Sequence, residues 1–164
     1  MPQSFFVQSS TVGVDLNNGN ATALFAVGTH VLGTLGTEWV YVQANTSIVG
    51  NSMVAYNSGT FTCSMASSAD AMSGMQLASA QTSISSQAFG WVCIRGVVTV
   101  LQTGTASVAG TWYVGGTVGL TGIISNQISA TGTVLGINVF PLTNTATYAN
   151  VIMTWPRYNT TGQG

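Results

Sequence analysis

EWVYVQA, residues 38–44, sets Trp39, Tyr41 and Gln43 on one side and Val40, Val42 and Ala44 on the other, the two-residue period of a β-strand. Its β-branched and aromatic side chains suit a pleated surface, and both of its faces are apolar enough to be buried. A second strand of this kind, GWVCIRGVVTVL, spans residues 90–101. Gly96 stands in its middle, where the lack of a side chain tolerates a bulge or a sharp bend, so a barrel corner is expected there. Weaker strands are expected at 23–27, 53–56, 60–63, 111–114, 133–140 and 151–155, with Pro156 ending the last by withholding a ladder N–H. Helical periodicity is weak everywhere. The expected fold is all-β: a single compact β-barrel or sandwich over 36–158, preceded by an extended N-terminal arm over 1–35 and followed by a flexible tail over 159–164.

An internal echo supports this organisation. Ser47-Ile-Val-Gly50-Asn-Ser-Met-Val54 and Ser107-Val-Ala-Gly110-Thr-Trp-Tyr-Val114 share the order serine, two apolar residues, glycine, two variable residues, apolar residue, valine. Each follows a strong strand, and the glycine supplies a turn from which a second strand starts, which predicts two similar strand-turn-strand units about sixty residues apart. Chance is the competing explanation in a chain so rich in Gly, Ser and Val. The arm is punctuated by glycines and asparagines and carries Phe5, Phe6, Val7, Leu24 and Phe25, which stay in water unless a neighbour covers them; an ordinary strand packed on its own domain is the alternative. Residues 64–88 read as a long surface loop with one short strand near 74–80.

The charge inventory is the main functional clue. The 164 residues hold five formal charges, Asp15, Glu38, Asp70, Arg95 and Arg157, and no lysine, while 46% are apolar. Ordinary soluble domains carry about a quarter charged residues. A surface of Thr, Ser, Asn, Gln and Gly can be brought against another protein without stranding a charge, which costs several kcal/mol per ion. A subunit made to sit in an assembly is the expectation. With two arginines and a net charge of −1 there is no basic field for nucleic acid.

Mean hydropathy is +0.41, yet no run of about 18 apolar residues offers a spanning helix. MPQSFFVQSS lacks the basic region, apolar stretch and cleavage site of an export signal, so secretion and an outer-membrane barrel are not expected. Cys63 and Cys93 are then expected as buried free thiols, a disulfide between them staying open because spacing does not fix geometry. Two cysteines and one histidine make no recognisable metal set, and no cofactor is expected.

Catalytic chemistry has little to work with. His30 is the single histidine. A triad of His30 with Asp15 or Asp70 and a serine can be drawn, but no G-x-S-x-G elbow accompanies it. Glu38 with Asp70 as a hydrolytic carboxylate pair competes with the simpler reading of a strand-edge charge and a solvated loop residue. Without lysine there is no phosphate-binding P-loop. The Asn-x-Thr/Ser triplets at Asn20, Asn45 and Asn159 carry no meaning without export. Arg95, inside an apolar strand, calls for a carboxylate, backbone carbonyls or a subunit interface, or else snorkels from a half-exposed strand. The protein is expected not to be an enzyme.

EWVYVQA with the turn at Gly50, FGWVCIRG at 89–96 with the SVAG turn after it, and VIMTWPR at 151–157 together resemble small head proteins of tailed double-stranded-DNA bacteriophages, the decoration or cement class. The likeness covers roughly residues 33–56, 89–115 and 150–157. It implies a β-rich clamp, usually a homotrimer, that binds the major capsid protein on the outside of the assembled head and resists internal DNA pressure. Such a protein is made in the host cytoplasm and ends in the virion, with neither nucleic acid nor membrane as partner. Phe5, Phe6 and Val7 are the candidate residues for docking on the shell or a neighbour, and Arg95, Trp112 and Tyr113 for trimer packing. Other virion parts, a tail, fibre or head-fibre subunit, stand as the alternative. Less favoured is a carbohydrate-binding β-domain stacking sugars on Trp39, Trp91 or Trp112.

Overall fold

A computed structural model describes residues 15–16, 18–67, 70, 75–103, 112–114, 122–125, 133–139 and 148–158, those at 103, 112–114, 125, 133–136, 138–139 and 158 by backbone course alone. The chain is all-β. Its strands are β1 (His30–Leu32), β2 (Glu38–Ala44), β3 (Ser52–Tyr56), β4 (Thr62–Met65), β5 (Gln76–Ala80), β6 (Phe89–Thr103), β7 (Trp112–Val114), β8 (Ile124–Ser125), β9 (Thr133–Val139) and β10 (Tyr148–Tyr158).

The pairings close twice. In ring 1, β2 runs parallel to β4, β4 pairs β3, β3 pairs β5, β5 pairs β6, and β6 returns to β2, all antiparallel after the first. In ring 2, β6 runs parallel to β8, and antiparallel pairs then lead through β7, β9 and β10 back to β6. Both rings therefore follow one connectivity: the first strand lies parallel to the third, and the order around the ring is first, third, second, fourth, fifth. The fifth strand of ring 1 is the first of ring 2. The echoed segments SIVGNSMV and SVAGTWYV end in β3 and β7, the second strand of each ring.

Alternation explains the core. Val40, Val42, Val54, Tyr56, Cys63, Ala78, Ala80, Val92 and Ile94, drawn from all five strands of ring 1, form one buried cluster with Ile48 and Ile84. A five-stranded ring is narrow, and the alanines of β5 leave room for the larger side chains facing them. The opposite faces of the same strands contribute Trp39, Tyr41, Met53, Leu77, Trp91 and Cys93 to a second cluster, which they share with Val98, Val100, Ile124, Ile137, Val151 and Met153 of ring 2. EWVYVQA is thus buried on both sides, as its composition predicts.

One irregularity lets a single strand serve both rings. Opposite β2, Trp39 pairs with Cys93 but Glu38 with Arg95, so β6 holds one extra residue there. Gly96 follows, with φ +109. An extra residue shifts the alternation by one, so the face of β6 outside ring 1, carrying Trp91 and Cys93, continues as the face carrying Val98 and Val100 inside ring 2. A Cβ at position 96 would stand 2.7 Å from Thr37 Cγ2 and 2.8 Å from Thr37 Cα. The rings are joined elsewhere too: Arg157 of β10 pairs with Gln76 of β5, the Leu101 N–H donates to Asn51 O at 2.7 Å, and the Met53 N–H to Gly122 O at 2.8 Å.

Several boundaries differ from expectation. Residues 23–27 form no strand; they cross ring 1 as an exposed strap held by the Leu24 N–H donating to Tyr41 Oη at 3.2 Å and by the Gly28 N–H donating to Tyr41 O at 2.7 Å. The ladder is made instead by β1, whose His30 opposes Val40. Pro156 does not end β10: the five residues from Met153 to Arg157 oppose three on β9, Ile137 to Leu135, and the proline sits inside this bulge, where its missing N–H costs no ladder bond. The two-residue β8 has no sequence signal. Of the expected arm, the described residues lie on ring 1, with Leu16 fully buried and Asn20 bridging Phe89; residues 1–14, with Phe5, Phe6 and Val7, lie outside the described residues, as does the tail at 159–164.

Two outcomes follow. Gly96→Ala forces a side chain into both a left-handed backbone and the Thr37 contact, and should lower stability by about 1–3 kcal/mol, read from the urea midpoint; an unchanged midpoint would contradict the shared-strand geometry. Cys63 and Cys93 are free and buried, and burial pushes both thiols up to about 12. Folded thiols stay protonated while unfolded ones ionise above about pH 8.5. Stability tied to them is therefore complete below that pH and lost as pH climbs toward 12. The melting temperature should fall above about pH 9, and an aromatic disulfide reagent at pH 8 should label both thiols in denaturant but neither in the native protein.

Candidate functional site

Where β2 and β6 leave ring 1, Glu38 and Arg95 stand among several large exposed apolar side chains. Register places Leu32, Glu38, Arg95 and Thr154 in one row across β1, β2, β6 and β10. Register partners share a face, so these four side chains stand on the same side of the sheet. Farther along that face Val97 opposes Ile152 and Leu101 opposes Tyr148. Between them the Thr99 hydroxyl donates to Asn150 Oδ1 at 2.9 Å. Leu32, Val97 and Tyr148 are exposed.

Trp155 adjoins this face through Arg95. Its indole is 55% exposed although tryptophan is among the costliest side chains to leave in water. The β10 bulge puts it there: Trp155 adopts φ +48, a left-handed conformation that a bulky residue rarely takes, and the buried Pro156 follows it. The Arg95 guanidinium lies over the ring, 4.9 Å from its centroid. Glu38 opposes Arg95 in the ladder yet makes its contact elsewhere, with His30 Nδ1 at 3.4 Å. At the tip of the β1–β2 hairpin, Leu35 is 83% exposed and also left-handed, at φ +57. At both positions a left-handed backbone displays a large apolar side chain to water.

Of the sequence-derived interface residues whose side chains are described, Arg95 falls on this face. Its partner within the chain is an aromatic ring, with the guanidinium exposed. Trp112 and Tyr113 lie in β7, flanked by β8 and β9 in ring 2. Trp39 and Trp91 are 1% exposed, Trp91 packing on Tyr41 and Phe25, which removes both as platforms for sugars. Of the groups considered for catalysis, His30 is engaged with Glu38, Asp70 accepts from the Ser67 N–H at 2.6 Å and hydroxyl at 2.8 Å, and Asp15 accepts from Asn18. Among the described residues no three His, Cys, Asp or Glu side chains gather as a metal set. Trp155 is not among the residues the sequence marks, because a proline reads locally as a strand end; a proline inside a strand-like run is equally a sign of a bulge.

No protein-family model, no curated protein and no solved structure matches the chain.

Proposed function

We propose that this chain is a structural virion protein that binds the major capsid protein on the outer surface of an assembled phage head, as a homotrimer, and holds the shell against internal DNA pressure. The observation that carries this reading is the pairing of a nearly uncharged exterior with strained, exposed apolar residues, Leu35 and Trp155. Such a surface is inexpensive to desolvate, and symmetry repeats each modest contact many times over the shell. Closed rings suit a mechanical role, because a ring has no free edge along its wall from which strands can peel. The likeness of EWVYVQA, FGWVCIRG and VIMTWPR to head decoration proteins supports the same reading.

One observation favours the alternative of a tail, fibre or head-fibre subunit: the two rings repeat a connectivity, and repetition is how fibres are extended. Co-sedimentation separates them. Purified protein should pellet with emptied heads of the phage that encodes it, saturating at a fixed number of copies per head and staying soluble with tails. Binding to tails instead, or no saturable binding to heads, would remove the decoration reading.

A further inference from the structure

We propose that the face built by Leu32, Leu35, Arg95, Val97, Tyr148 and Trp155 is where a second copy of this chain docks, with Arg95 of one copy set against Glu38 of the other. The inference deepens the reading of the chain as a self-associating virion subunit and rests on it. The first ground is composition. Tyr148, Trp155 and Arg95 are the three residue types that lead binding energy at protein interfaces, and the exposed Leu32, Leu35 and Val97 add apolar area around them.

Charge identifies the occupant. Glu38 and Arg95 are register partners, yet among the described residues they form no ion pair: the carboxylate turns to His30 and the guanidinium to Trp155. Each copy therefore presents a carboxylate and a guanidinium one strand apart, with no net charge. A strongly acidic or basic partner would gain on one group what it loses on the other. A second copy brings the same two groups and can set opposite signs against each other, which gives orientation as well as attraction. The strap residues Leu24 and Phe25 are exposed too, but nothing of opposite charge adjoins them to select a partner.

Light scattering on the full chain tests this. The wild type should exceed the monomer mass of 16.9 kDa at micromolar concentration. Arg95→Glu and Val97→Asp should each fall to monomer mass while circular dichroism stays unchanged and melting stays cooperative, at a temperature that no longer depends on protein concentration. Arg95 contributes a cation–π contact of only about 0.5–1 kcal/mol at an exposed site, so its loss should not unfold the protein. Leu24→Asp, on the exposed strap beside Tyr41, whose side chain lies on the opposite face of β2 from Glu38, should leave the assembly intact. An equimolar mixture of Arg95→Glu with Glu38→Arg, whose faces are again opposite in sign, should regain mass above monomer. A wild-type monomer, variants that stay assembled, or a mixture that stays monomeric would overturn the proposal. Assembly lost in these variants supports it whether or not the wild type pellets with heads, so the two readings fail separately.

Discussion

Both rings depend on one strand changing its allegiance halfway. β6 closes ring 1 with its first half and opens ring 2 with its second. A strand of strict alternation would keep one face inward throughout, and the two rings would have to share an interior. The extra residue opposite Glu38 and the left-handed Gly96 shift the alternation by one. The rings then lie against opposite faces of a common wall. Thr37 fits where a side chain on residue 96 would be, which ties the β1–β2 hairpin to the same point.

The candidate interface is a consequence of that junction. Where the inner face of ring 1 runs on into the outer face of ring 2, it has left one interior without entering another. Arg95, Val97 and Tyr148 stand on this stretch, and the β10 bulge adds Trp155. The charges of the chain are too few to solvate such a face. Leu35 and Trp155 are held by the fold in left-handed conformations that bulky residues rarely adopt.

Much of the fold was legible in the chain. EWVYVQA is β2 to the residue, and the long β6 with its break at Gly96 reads directly from GWVCIRGVVTVL, because alternation and a mid-strand glycine are local signals. The SxxG echo marks the second strand of each ring. What did not read was set by distant partners. β8 is two residues long and exists because β6 and β7 flank it. Residues 23–27 have strand composition, yet Tyr41 holds them as a strap. Pro156 looked like a terminator because its missing N–H is local, while the bulge that accommodates it depends on β9. The site was legible only at Arg95; Trp155 and Leu35 are displayed by backbone conformations that composition does not encode.

Electron cryomicroscopy of heads carrying the bound protein tests the whole account in one image. Density for the chain is expected on the outer shell surface, with copies related by rotation and the Leu35–Trp155 face of each buried against its neighbour. Heads bare of this density, or copies bound with that face turned to solvent, would contradict it.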